Sequence, residues 1–471
     1  MASGVPHDGW SLSPMRIENS VLRLHLKPGS IWLDRLSAAF QLALAPGQYP
    51  LRFSIVDVQD QIAVVECTSV HFLPGEPFSE ALSTIELLQP RKRPFSCSPF
   101  TAVQIIPTGV RCEFGGYAGD ATPVTNLLAA VADILVTHPN AVNASDLNEM
   151  GENVWYVEGK SLDDFLLGHI GLIPSSTNRI GTFVDPTGRA YLDHVINALN
   201  AARSVKGISC REYTILEREL DVSIQWSESG CAVGTVNQPE VFLRGAGLLI
   251  SEGADAVGGV SVIHGVTREM FAQHLAGEIP NPSGGVEAII THLISKVFRV
   301  PTAHAPLPYY QDVKAAGIAD PRASAEFIST PHYYSVLKGL ARAPRLVSLS
   351  DLSQVPSPAI SLNNVGAVVL PASCLGGVPA LASEFSDIPV IAVRANATLL
   401  NVTNAKMHMK NVIEVDSYLE AAGILLALRK GISLESLRRP LACISRIDPE
   451  NGGIRERHQN RANGGGEVHA I

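Results

Sequence analysis

The chain has 471 residues, 46% hydrophobic and 17% charged, a balance that supports a large buried core divided over two or three domains. Its formal net charge of −9 leaves no electrostatic footprint for a phosphate backbone, which removes nucleic acid from the expected partners. Seven cysteines, an odd number without a CxxC pair, point to a reducing compartment and away from a structural zinc knuckle. The first fifteen residues, MASGVPHDGWSLSPM, show neither a charged n-region nor an apolar h-region. Apolar stretches elsewhere are broken by Gly, Asp or His before the ~18 residues needed to span a bilayer. The expectation is a cytoplasmic protein without membrane contact.

In chain order, a flexible segment 1–14 precedes a small α+β domain over 15–95. Met15–Lys27 alternates apolar and polar residues as a strand does, Ser30–Ala45 is an amphipathic helix, and Leu51–Val58 with Ile62–Val70 make a hairpin. No chemical cluster falls here. Pro90–Pro99 reads as a linker and its run Arg91-Lys92-Arg93 as a solvated face. From 100 to 300 strands and helices alternate. Ala102–Ile106 is a strand, Val124–Val136 a helix running into a strand, Ala190–Arg203 and Val241–Glu252 are helices, and Gly258–Ile263 is a strand. A second α/β domain or lobe, 301–445, repeats the theme with strands Val365–Pro371 and Ile388–Val393 and helix Leu419–Lys430. This alternation predicts an α/β fold of mainly parallel sheets covered by helices. The Gly- and charge-rich tail, 446–471, is expected to be disordered.

Four polar clusters follow predicted strands, the place where ligands bind in parallel α/β sheets. The first runs from Thr108 through Gly115 and Gly116 to Asp120 and Thr122. Backbone amides bare of side chains at a helix start suit an anion, while a tight turn with capping residues is the plain alternative. The run is neither GxGxxG nor GxxxxGK[ST], so it names no cofactor. The second, Thr137–Glu149, packs His138, Asn140, Asn143, Asp146 and Glu149 into thirteen residues. The third begins at Ser261 and includes His264. The fourth places Asn281 before a Gly-Gly turn, with Glu287 and His292 on the following helix. At ~100° per residue those two side chains stand roughly 140° apart, which argues against an HExxH-type metal pair.

Beyond the last strand, Arg394 and Asn396 suit a carboxylate or phosphate, with a salt bridge as the alternative for Arg394. Cys374 is either a thiol at a helix start or a small buried cysteine. Proton transfer is therefore assigned to Asp120, His138, Glu149, Glu287 and His304. Ligand binding is assigned to Thr108, Gly115, Gly116, Thr122, Asn140, Asn143, Asn281, Arg394 and Asn396. The four histidines near strand ends, His138, His264, His292 and His304, also leave a divalent-metal site or hydrogen-bonded filler open, and no metal ligand is assigned. A two-thiol racemase would need a partner for Cys374, and Cys112 alone lies near a motif.

The strings IIPTGV, GGYAGDATPVTNLLAAVADILVTHPNAVNASDLNEM, SEGADAVGGVSVIHGV, PNPSGGVEAIITHLISKVFRVPTAHAP and IPVIAVRANATLLNV resemble the bacterial and plastid-lineage proteins grouped as domain of unknown function 3326. The resemblance covers roughly residues 100–440 and brings with it no activity, cofactor or catalytic residue. The residues themselves lead to an enzyme for a small polar or anionic metabolite, working by acid/base chemistry in a cleft between the two α/β regions. The alternative is a non-catalytic metabolite-binding or regulatory protein. Homo-oligomerisation is left open.

Overall fold

The alternating N-terminal segment folds as β1 (Arg16–His25), α1 (Trp32–Ala43), β2 (Gln48–Gln59) and β3 (Ile62–His71), an antiparallel sheet of order β1-β3-β2 in a computed structural model. The structure describes residues 15–26, 31–72, 89–138, 150–307, 320–325, 332–447 and 454–457. Period-two alternation puts Leu51, Phe53 and Ile55 in the core, where Phe53 meets Phe40 of α1 with ring centroids 5.0 Å apart. The opposite face of β2 keeps Arg52, Ser54 and Val56.

The stretch 90–99 is tied down rather than solvated along its length. Arg91 donates to the carbonyls of Gly168 and Leu349, Arg93 donates to Val365 O at 2.6 Å, and only Lys92 of the basic run is exposed. Two guanidiniums thus satisfy carbonyls at or beside strand ends.

The main sheet begins with β4 (Thr101–Gln104), α2 (Thr122–Val131), β5 (Ile134–Thr137) and β6 (Val154–Tyr156). The chain then leaves through α3 (Gly159–Leu166) and β7 (Ile170–Ile173) to build a second sheet. That sheet contains β8 (Ile180–Val184), β9 (Glu212–Ile215), β12 (Ala256–Ser261) and β13 (Thr302–Pro306). Between these come α4 (Leu192–Lys206), a hairpin of β10 (Asp221–Trp226) and β11 (Ala232–Asn237), α5 (Glu240–Ser251) and α6 (Gly284–Phe298). After α7 (His332–Ala341) and β14 (Arg345–Ser348), the main sheet resumes with β15 (Val365–Pro371), α8 (Val378–Phe385), β16 (Val390–Val393), β17 (Val412–Val415) and α9 (Tyr418–Arg429).

The main sheet has order β17-β16-β15-β4-β5-β6 with every pair parallel, and the second has order β13-β12-β8-β9, also all parallel. The α/β expectation therefore holds, small N-terminal module included. Strands buried on both faces explain the unbroken apolar runs. Val103, Val368, Leu370 and Val390 enter one core with Leu162 and Val378, whereas Ala102, Ala367, Val369 and Ile391 enter the other with Leu128 and Leu425. Of the tail, Ile454–Arg457 pairs antiparallel with Ser445–Ile447, and the rest lies outside the described residues. Among the described residues no helix is long and apolar enough to cross a membrane.

Candidate functional site

In the main sheet the chain runs outward through β4, β5 and β6, then returns to the other side of β4 and runs outward again through β15, β16 and β17. Strand order reverses between β4 and β15, and in doubly wound sheets a crevice opens beyond the carboxyl ends of the strands at that point. A cavity of about 410 Å³ lies there, lined by Thr108 after β4, His138 after β5 and Cys374 after β15. The N-terminal sheet closes one side with Arg52, Ser54 and Glu66, while Asp163 of α3, His292 of α6 and the turn of the β10–β11 hairpin form the others. Asn19 anchors that closure by donating to Gly234 O at 2.9 Å.

The best-organised chemistry in the cavity is built on Glu158, the residue before α3. Only 2% exposed, its carboxylate accepts from the amides of Lys160 and Ser161 and from the hydroxyls of Thr291 and Ser295, the last at 2.6 Å. The same carboxylate contacts Nδ1 of His292. Gly159 makes the approach possible, since a Cβ there would stand 3.0 Å from Cε1 of the imidazole. Burial pushes Glu158 up, but the neighbouring His292 ring and the hydrogen-bond donors outweigh it and hold the carboxyl below its ordinary value. With Nδ1 committed to a buried carboxylate, His292 presents its other edge to the cavity.

Asp163 faces the same space from one turn into α3. Burial raises it to about 6, with Lys160 and His292 opposing the rise, so near neutral pH it carries its proton part of the time. Its neighbour Asp164 points the other way and is held at about 2 by Lys160 and Lys296 against the push of burial. A raised folded-state value makes protonation of Asp163 stabilising. That contribution is complete below the unfolded value of 3.8 and is lost as pH rises through about 6. Asp163→Asn is expected to increase stability at pH 8 by about 2 kcal/mol, the gain shrinking toward pH 4. Urea unfolding at several pH values checks this, and a gain independent of pH refutes it.

His138 lines the cavity as a neutral ring. Its Nε2 accepts from the Ile106 amide at 2.8 Å, which places the proton on Nδ1, and burial lowers it to about 4. Thr108 also lies at the wall. Cys374 does too, yet burial pushes its thiol up to about 11, with Thr398 and Ser373 opposing only in part, so its helix-start position does not activate it.

The other residues singled out by sequence fall elsewhere. Glu287 and His304 do meet, Nδ1 lying 3.5 Å from Oε2, and His304 Nε2 lies 2.8 Å from the Ser261 hydroxyl. The order Ser–His–Glu is that of a nucleophilic triad. Ser261 is fully buried, however, and none of the three lines the cavity, so the chain ties β12, β13 and α6 together. Arg394 is exposed and engaged by Glu414 and Asp416, each at 2.7 Å. Asn396 is enclosed, accepting from Phe114 N and donating to Phe114 O and to the Tyr418 hydroxyl. Asn281 caps the turn into α6 by accepting from Ser283 N.

In the Gly-rich loop, Asp120 accepts from Tyr117 N, and Thr122 opens α2 away from the cavity. A Cβ on Gly116 would stand 2.3 Å from Cys112 O, and one on Gly115, at φ 86°, 2.4 Å from the Ile106 side chain. A side chain at either position would collide with neighbouring chain, so close packing by itself accounts for both glycines. Asn140, Asn143 and Glu149 lie outside the described residues. Sequence reasoning missed Glu158, Asp163 and the whole contribution of the N-terminal sheet. A signal for Glu158 existed in the polar Glu158-Gly159-Lys160-Ser161 run between a short strand and a helix. Among the described residues no group of three or more His, Cys, Asp or Glu could hold a metal ion.

The family described as a protein of unknown function, DUF3326, matches residues 101–438, well over half of the chain. The chain belongs to the DUF3326 family. An uncharacterized lipoprotein from a Synechococcus strain is 34% identical over 342 residues, covering 72% of this chain and 93% of its own. A dimeric Lac repressor with an 11-residue C-terminal deletion aligns with 54% of this chain and 92% of its own at 10% identity and a TM-score of 0.14, too low to bear on the fold. Within this DUF3326 protein the matched region includes Glu158, Asp163 and His292, while the N-terminal sheet lies outside it.

Proposed function

We propose that this protein is an enzyme for a small polar or anionic metabolite, working by acid/base chemistry in the cavity beyond the carboxyl ends of β4 and β15. The observation that carries the reading is a buried carboxylate, Glu158, holding an imidazole against a cavity that also receives Asp163. Two titratable groups from different helices, one oriented and one with a raised value, are what proton removal on one side of a substrate and proton delivery on the other require. His292 is the base, Asp163 the acid and Glu158 the positioning residue. Isomerisation, racemisation and hydrolysis all fit this arrangement. All seven cysteines are free, which supports a reducing, cytoplasmic setting.

The test is His292→Gln against the native chain, incubated with a metabolite library and followed by mass spectrometry, with thermal shift reporting binding. Turnover should fall by about 10²–10⁴ while the binding shift persists. A native chain that binds but converts nothing, with His292→Gln altering affinity alone, would make the protein a sensor and overturn the enzyme reading.

A further inference from the structure

Arg52 stands out among the charged groups at the cavity wall. It sits on the polar face of β2, opposite Thr68 in the sheet register, and its side chain makes no hydrogen bond or ion pair with any described residue. The other cations beside the cavity floor are committed, Lys296 to Asp164 at 2.9 Å and Lys160 to Asp164 at 3.6 Å. Glu66 is close enough to act on Arg52 electrostatically, but its Oε1 is taken by the Ser229 amide at 2.9 Å. Arg52 is only partly accessible and is drawn electrostatically toward Glu66 and Asp163. A sequestered guanidinium without a partner is costly unless something arriving from solvent completes it.

We propose that Arg52 is the anchor for a monocarboxylate group of the substrate, so that the N-terminal sheet selects the substrate for acid/base machinery housed in the family region. This rests on the acid/base reading of the same cavity. A carboxylate matches the planar fork of the guanidinium through two parallel hydrogen bonds. A monocarboxylate brings one negative charge to a wall that already holds Glu66 and Asp163, whereas a dianionic phosphate brings two and is repelled more strongly there. Thr68 is already occupied, donating to Asn19 at 2.7 Å, so the immediate surroundings of Arg52 offer little other competition for the anion. The family match begins at residue 101, and Arg52 and Glu66 both lie before it. Proteins sharing the catalytic region would then differ in substrate through whatever closes this side of the cavity.

The test compares the native chain, Arg52→Met, Arg52→Lys and His292→Gln by thermal shift with acetate, lactate, succinate and inorganic phosphate at matched ionic strength. Carboxylates should raise the melting temperature of the native chain and of His292→Gln. Arg52→Met should lose that response at least tenfold in half-saturating concentration, and Arg52→Lys should retain part of it. Without added ligand, Arg52→Met should melt at or above the native temperature, because burial of the guanidinium is not repaid by a hydrogen bond or ion pair with any described residue. Any of three outcomes overturns the proposal: no carboxylate response in the native chain, an undiminished response in Arg52→Met, or a response to phosphate alone. A ligand-free Arg52→Met that melts far below the native chain makes the arginine structural and overturns it too. Failure of the acid/base reading looks different, since His292→Gln would then retain native turnover while Arg52→Met still lost the carboxylate response.

Discussion

Asp164→Ala is expected to destabilise the fold by about 3–5 kcal/mol, the cost of breaking a buried ion network on one side only. Asp164 is 7% exposed and lies between Lys160, 1% exposed, and Lys296, 6% exposed. Removing its carboxylate leaves two enclosed ammonium groups whose remaining ion pair among the described residues is the 4.0 Å contact of Lys160 with Asp163. The Tyr49 hydroxyl nearby is buried without a hydrogen-bond partner and adds no acceptor of comparable charge. Urea unfolding measures the loss. The pH dependence has a definite sign, because a folded value held at about 2 contributes stability above 3.8 that disappears only as pH falls through about 2. The deficit should therefore be constant from pH 5 to 8, unlike the effect of Asp163→Asn. Combining Asp164→Leu with Lys160→Met and Lys296→Met should recover most of the loss, since both enclosed ammonium groups are then gone and Asp163, already raised to about 6, can take up a proton. A loss below about 1 kcal/mol for Asp164→Ala would mean that the network is hydrated and contributes little.

Glu158→Gln should reduce kcat by about 10²-fold or more, with little change in ligand binding. The amide offers its NH₂ edge where the carboxylate accepted from helix amides and hydroxyls, and it can no longer stabilise the imidazolium of His292. A stability cost of about 1–3 kcal/mol accompanies this, because buried donors lose their acceptor. A structural role alone would lower the melting temperature and leave kcat of the folded fraction intact. The discriminating readout is therefore the rate per folded molecule, which Glu158→Gln should lower at every pH tested. Native rates at all pH values would remove Glu158 from the mechanism.

Much of the architecture was present in local pattern. Val365–Pro371 is apolar along its whole length, and only a strand covered on both faces can bury such a run. The hairpin 48–71 and the helices 192–206, 240–251 and 418–429 follow from alternation, periodicity and turn residues, so α/β class and the small antiparallel module were legible from sequence alone. Boundaries moved by one to three residues, as at the helix end now at Lys206 and the strand start now at Gln48. That residues just beyond strand ends would line a cavity was legible as well, since Thr108, His138 and Cys374 all reach it.

Which polar residues meet was decided only by tertiary structure. Arg52 lies in a strand whose alternation reads as one core face and one solvent face, and nothing local distinguishes water from a cavity enclosed by chain hundreds of residues away. Glu158 and His292 are 134 positions apart, and their contact depends on α3 and α6 packing side by side. The Gly-rich loop shows the converse. Glycine frees the backbone whether the neighbour is a ligand or a carbonyl, and at Gly116 the neighbour is the carbonyl of Cys112. Local propensity is set by the residue and its immediate neighbours and so can be read along the chain. A site is set by strand order and helix docking, which bring distant segments together through burial that no short window of sequence encodes.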